Sequence, residues 1–296
     1  MQNRIKRRGF TIVEVVTVMA VVVIATALVM PAIQRSRADA RQTRCKFHLK
    51  QIGLALHNYH EVFNTFAPGW TNRHPEPAPD IRFGWMAGLL PFLEQAKLYN
   101  ELDFDDPAKT PQALLKTALP IARCPSDLTP AVNPLRGSWG TANYSGNFGS
   151  EPLPRWAPSD FSGFWPGQSP TPTSASGLFY LNSRVRIRDI RDGSSNTIMV
   201  GEKCVDSRAG LWFGVRGNEF EDDQVTDCSP GNEVNSGDFS YASFHAGGAN
   251  FLLVDGSVHF ISENIDSREG TGRDMGVYQR ISSRSDGVAV PRFYEE

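Results

Sequence analysis

One segment constrains this chain more than any other: Phe10–Ile33, FTIVEVVTVMAVVVIATALVMPAI, 24 residues with a single charge at Glu14. At about 1.5 Å per residue, a helix of this length crosses a hydrocarbon core of about 30 Å. Arg4, Lys6, Arg7 and Arg8 precede it, and basic flanks stay on the cytoplasmic side. The remainder of the chain is therefore expected to be exported. Glu14 stands out, because a carboxylate inside a bilayer costs roughly 2.5–3.5 kcal/mol even on a lenient scale. A cut ahead of Phe10 would create an α-amino group, and that of a neighbouring subunit could compensate Glu14 at similar depth.

These residues resemble the type IV pilins and the type II secretion pseudopilins. A basic leader ends in Arg8-Gly9, Phe10-Thr11-Ile12-Val13-Glu14 follows, Glu14 is fifth in the mature chain, and Pro31 is at mature position 22. The resemblance implies cleavage between Gly9 and Phe10 by a prepilin peptidase, N-methylation of Phe10, and other pilin-like subunits as partners, with Glu14 as the assembly residue. It places the chain in the inner (cytoplasmic) membrane as a single-pass protein whose C-terminal domain is periplasmic or on the cell surface. Pro31 would kink the helix near the membrane surface. Two alternatives stay open: an ordinary signal-peptidase site at Ala25-Thr26-Ala27, leaving Leu28 first, and an uncut anchor.

Charge argues against one class of partner. Lys+Arg of 30 against Asp+Glu of 32 gives a formal charge of −2, and loss of the four leader cations lowers it by four more. No basic field recruits nucleic acid. With 40% hydrophobic and 21% charged residues, the exported part has an ordinary globular composition.

Beyond Pro31 the helical pattern continues. Cys45, Leu49, Ile52, Leu56, Tyr59 and Phe63 form one apolar stripe, with Arg35, Arg37, Arg41, Arg44, Lys46 and Lys50 mostly off it. The spacing predicts one helix from about Thr11 to about His60, its second half packed on a sheet. The organisation expected is a leader at 1–9, a transmembrane helix at 10–33, its continuation at 34–63, and a globular domain of unknown function at 64–296. Pro68–Asp80 reads as a loop, Gly84–Leu102 and Gln112–Leu119 as short helices with Pro91 near a helix start, and Thr129–Thr173 as long ordered loops.

Gly177–Gly256 shows strand patterns. Arg186–Gly193 leads by a turn into a strand at Thr197–Glu202, and Leu211–Phe213 is another short strand. Asn250–Ile261 reads as a hairpin about Asp255-Gly256 in a type I′ turn, pairing Val254 with Ser257 and His259 with Leu252. The fold class expected is α+β and pilin-like: a long N-terminal helix on an antiparallel sheet with long loops.

Strings along nearly the whole chain resemble a large bacterial family of prepilin-leader proteins with an uncharacterised C-terminal domain and an H-x(9)-D-G motif. They are Arg44-Cys45-Lys46, Leu49–His60, Leu90–Gln95, Cys124-Pro125-Ser126-Asp127, Asp192–Thr197, Gly201-Glu202, His245–Asn250 and Asp255-Gly256. The motif residues are His245, Asp255 and Gly256. The resemblance implies a pilin-like anchored architecture and no established activity for the domain. Little is recognised in Thr129–Thr173 and Asp206–Asp238.

Catalytic signatures are missing: G-x-S-x-G, H-E-x-x-H, P-loop and G-x-G-x-x-G strings do not occur, so no enzyme is expected. His245, Asp255 and His259 could form a metal or acid–base set. The alternative, preferred here, has Asp255-Gly256 making a turn and His245 bonding a loop backbone. Glu221, Asp222 and Asp223, with Glu219 and Asp227, are candidate calcium ligands in an exported domain. They lack a D-x-D-x-D-G pattern, which favours a solvated acidic surface, so no metal or cofactor is expected. Trp139, Trp156, Trp165 and Trp212 read as packing residues rather than a carbohydrate platform.

Four cysteines contain no C-x-x-C pair. Export permits disulfides. Cys45 on the inward stripe and Cys124 after a short helix are expected to pair, leaving Cys204 with Cys228; buried thiols are the alternative. The function expected is a membrane-anchored pseudopilin-like subunit. The alternative is an exported binding protein that uses the prepilin leader for targeting and forms no filament.

Overall fold

A computed structural model describes residues 11–71, 81–133, 137–153, 175–207, 209–216, 224–291 and 293–294. The chain divides into two compact units, one up to Arg41 and one from Gln42 onward.

One helix, α1 (Ile12–Phe63), runs through both, with Pro31 inside it. In the first unit its large apolar side chains are exposed, from Ile12 at 82% to Ile33 at 44%. It is long and apolar enough to cross a membrane. In the second unit Cys45, Leu49, Ile52, Gly53, Ala55 and Leu56 are buried, which is the stripe expected from the spacing. Tyr59 is half-buried and Phe63, at the helix end, is exposed.

The second unit is built on a five-stranded sheet. Its strands are β4 (Tyr144–Gly149), β5 (Ile198–Glu202), β8 (Val225–Asp227), β9 (Gly248–Leu253) and β10 (Val258–Ser262), in the order β10-β9-β5-β4-β8. The first three pairs are antiparallel, but β4 and β8 run parallel, so the sheet is mixed rather than purely antiparallel. The parallel pair is feasible because a long excursion after β5 returns the chain to the far edge. Smaller sheets pair β1 (Ile81–Phe83) with β7 (Gly214–Arg216), and β2 (Val132–Asn133) with β3 (Trp139–Ala142) and β6 (Gly210–Leu211). Short helices α2 (Trp85–Leu89), α3 (Ala96–Glu101) and α4 (Gln112–Leu115) follow β1, and α5 (Val277–Ser282) closes the unit. Pro91 sits in the first turn of a 3-10 helix, Leu90–Leu93, where its missing N–H costs nothing.

Thr129–Thr173, expected as loops, contains β2, β3 and β4, and β4 lies inside the main sheet with all six residues buried. Its sequence, YSGNFG, has neither alternation nor β-branched residues. It works as a strand because its polar groups are satisfied in place: Asn147 Nδ2 donates to the carbonyls of Ile198 at 2.8 Å and Ser282 at 2.7 Å. Gly146 leaves room for the Phe179 ring, which a Cβ would meet at 2.8 Å. Arg186–Gly193, expected among the strand patterns, instead holds a 3-10 turn at Ile187–Asp189, closed by Asp189 Oδ2 accepting from the Arg186 N–H. Trp212 and Phe213 form a bend between β6 and β7 rather than a strand. Trp212 is buried with its indole N–H on the Thr117 carbonyl, and Trp139 is buried too, while Trp156 and Trp165 lie outside the described residues.

The β9–β10 hairpin forms one residue out of the expected register. Leu252 pairs with Val258, and His259 faces Phe251 rather than Leu252. Of the central pair only Gly256 takes a positive φ, 82°, so a type I′ turn, which needs two, does not form. Asp255 keeps an ordinary φ, and its Oδ1 accepts from the Ser257 N–H at 2.8 Å and the Ser257 hydroxyl at 2.6 Å. The loop is thereby one residue longer, closed by Leu253 N–H on the Ser257 carbonyl.

Candidate functional site

Within the first unit, Glu14 lies in the first turn of α1. Its Oε2 accepts from the Thr11 N–H at 2.8 Å and the Thr11 hydroxyl at 2.9 Å, bonds that cap the helix start. Gly9 and Phe10 lie outside the described residues.

Within the second unit, strings far apart in sequence meet at two places. One is the turn after β9. His57 Nε2 of α1 bonds the Val254 carbonyl at 2.8 Å. Val254 N–H donates to the Thr197 carbonyl and Asp255 N–H to the Ser194 carbonyl. Burial alone would raise the Asp255 carboxyl, but its bonds to Ser257 and Ser195 hold it below the ordinary range. His259 Nε2 bonds the Ser257 hydroxyl at 2.9 Å and its ring stacks on Tyr294. Asp255-Gly256 is thus a turn that seats α1 and the Asp192–Thr197 string.

The other meeting place is at the opposite end of β9. Cys45 of α1 and Cys124 form a disulfide, with Cα atoms 5.2 Å apart. His245 Nε2 lies 3.7 Å from Cys124 Sγ and 3.5 Å from Glu202 Oε1. Glu202, the last residue of β5, is anchored through its other oxygen, which accepts from Asn250 N–H at 2.8 Å and Asn250 Nδ2 at 2.9 Å. Its Oε1 is buried and accepts no hydrogen bond among the described residues. The donor atoms of Cys45, Cys124, Glu202 and His245 all lie within 4.8 Å of one another. Cys45, Cys124 and Glu202 are buried, and His245, a half-buried residue, has its side chain covered to 7% exposure.

A polar frame holds this cluster. The Cys124 N–H donates to Asn143 Oδ1, whose amide donates to Asp127 Oδ2 at 2.5 Å and to the Lys203 carbonyl at 3.0 Å. Asp127 also accepts from the Val205 and Thr129 N–H groups. Tyr144 donates toward the Cys45 carbonyl, and burial, reinforced by the Glu202 charge, raises its phenol well above the ordinary value. A crevice lined by Cys124, Glu202, Lys203, Ser243 and Phe244 adjoins the cluster, and Phe244 is exposed.

His245 therefore meets a sulfur and a carboxylate rather than the loop backbone expected for it. His245, Asp255 and His259 do not make one site, because the nine residues within the motif carry the chain along β9 from the cluster to the turn. Cys204 and Cys228 form no disulfide with each other. They belong to different surroundings: Cys204 lines the crevice, while Cys228 is packed with Tyr241 and Tyr278 in a second core, where burial pushes its thiol up. Glu219, Glu221, Asp222 and Asp223 lie outside the described residues. Asp227 is not on an acidic surface: it is buried in β8, accepting from the Leu153 and Ser229 N–H groups. Glu202, Asp127 and Asn143 were not anticipated as members of a site, although Gly201-Glu202 and Cys124–Asp127 were among the strings carrying the family resemblance.

No curated protein and no solved structure matches this chain. A family described as "protein of unknown function (DUF1559)" matches residues 34–268, a span that contains both meeting places. The chain belongs to that family.

Proposed function

We propose that this chain is a membrane-anchored, pseudopilin-like subunit of a pilus-like or type II secretion-related assembly, processed by a prepilin peptidase between Gly9 and Phe10. The observation that carries the reading is Glu14: one carboxylate in the otherwise apolar, exposed stretch of α1 up to Ile33, its side chain bonded only to Thr11 among the described residues. In a bilayer that carboxylate is costly until a cation reaches it, and the new amino group of a processed neighbour is a cation at the right depth. On this reading the domain is exported from the inner membrane, its partners are the peptidase and other pilin-like subunits, and its role is structural rather than catalytic.

Mass spectrometry of the mature N-terminus in the native bacterium tests the processing, with methylated Phe10 expected. A chain starting at Leu28 or retaining Met1 would overturn it. Crosslinking in membranes tests assembly: Glu14→Gln should be processed normally yet lose its crosslinked oligomers. If it crosslinks as wild type does, the chain is a tethered domain or assembles by another contact.

A further inference from the structure

We infer that Cys45, Cys124, Glu202 and His245 form a Zn²⁺ site whenever the Cys45–Cys124 disulfide is reduced, so that the same clamp on α1 exists in a disulfide form and a metal form. The inference is independent of the filament reading.

The donor set is two sulfurs, one imidazole nitrogen and one carboxylate oxygen, a combination suited to tetrahedral zinc. Zn–S bonds near 2.3 Å and Zn–N or Zn–O bonds near 2.0–2.1 Å make tetrahedral edges of about 3.6 Å for N to S and about 3.4 Å for N to O. The distances from His245 Nε2 are 3.7 Å to Cys124 Sγ and 3.5 Å to Glu202 Oε1. Two of the edges that include His245 are therefore in place, all four donor atoms lie within 4.8 Å of one another, and the two sulfurs must separate to about 3.8 Å.

A second observation points to a cation. Glu202 is 1% exposed, and its Oε1 accepts no hydrogen bond among the described residues while facing His245. A buried carboxylate oxygen left without a donor is costly, and a cation would satisfy it. The Asn250 bonds to Oε2 fix that oxygen's direction as outer-sphere contacts orient a metal ligand. The four residues come from four segments, α1, the Cys-Pro-Ser-Asp turn, β5 and the loop before β9, so a metal here holds the unit together as the disulfide does.

The conversion balances with a dithiol as reductant. The S–S bond of Cys45–Cys124 breaks and two S–H bonds form, while the dithiol loses two S–H bonds and closes its own disulfide. Zn²⁺ then displaces both thiol protons, and two Zn–S, one Zn–N and one Zn–O bond form.

The test uses the full chain in detergent, reduced anaerobically with a dithiol that is then removed, and Zn²⁺ titrated against a chromophoric chelator. One Zn²⁺ per reduced chain and none per oxidised chain are expected, with two protons released. His245→Ala should weaken binding about tenfold or more. Cys204→Ser, which alters the neighbouring thiol on the crevice, should leave it unchanged. Absence of uptake by the reduced wild type, equal uptake by His245→Ala, or loss in Cys204→Ser would each overturn the site. Should His245→Ala fail to fold, the wild type still decides. Zn²⁺ must shield two of the four cysteines from alkylation, at Cys45 and Cys124, and shielding elsewhere refutes the assignment.

Discussion

His57 and Val254 are joined by a 2.8 Å hydrogen bond across 197 residues of sequence, imidazole to carbonyl, and this bond ties the N-terminal helix to the turn of the last hairpin. His57→Ala should leave that partly buried carbonyl without its partner and cost about 1 kcal/mol. Denaturant unfolding of the detergent-solubilised chain, followed by tryptophan fluorescence, measures it. An unchanged midpoint would mean that water replaces the imidazole without loss.

The Cys45–Cys124 link spans 79 residues and closes a loop for which chain entropy gives about 4 kcal/mol of stabilisation. Double replacement by alanine should lower stability by roughly that amount, read with chelator present so that metal does not contribute. Alkylation after denaturation without reductant should label only Cys204 and Cys228. Four labelled cysteines would contradict the bond.

The strand least visible in the sequence supplies the next test. Gly146→Ala places a Cβ 2.8 Å from two atoms of the Phe179 ring, so the ring or the strand must shift. Overpacking of this kind costs about 1–3 kcal/mol. A thermal midpoint equal to wild type would show that Phe179 has room to retreat.

Acid should weaken the junction at His48. Burial, helped by the Arg44 charge and opposed by the bond to the Arg123 carbonyl, lowers its pKa below the ordinary 6.5. The unfolded chain therefore takes up this proton at a higher pH than the folded chain, and stability declines as pH falls through about 6.5. The decline levels off below the folded value. Unfolding midpoints at about pH 7.5 and about pH 5 should differ more for wild type than for His48→Gln. Parallel behaviour would assign the acid sensitivity to other groups.

Features set by local pattern were legible in the sequence. The long helix and its buried stripe follow from apolar spacing, and strand β5 and the hairpin from runs such as Thr197–Glu202 and Phe251–Val254. What escaped depends on partners distant in sequence. Tyr144–Gly149 is a strand because Ile198, Ser282 and Phe179 receive its polar and empty positions. The hairpin register turned on whether Asp255 would adopt a positive φ or use its carboxylate on Ser257. The sulfur, imidazole and carboxylate cluster draws one residue from each of four segments, so no spacing within any of them announces it. Cysteine pairing was readable only where the helix stripe gave a direction, at Cys45.

The His57–Val254 bond also bears on the order of events during synthesis. The helix face that it helps to cover leaves the ribosome long before its covering strand: 197 residues at roughly 5–20 residues per second is about 10–40 s. During that interval Leu49, Ile52 and Leu56 lack the Leu252 and Val254 of the core they will share, and Gly53 waits for the Leu252 side chain that will touch it. The nascent chain cannot close its core from the front. It must remain soluble, or be attended by a chaperone, until its final third has emerged.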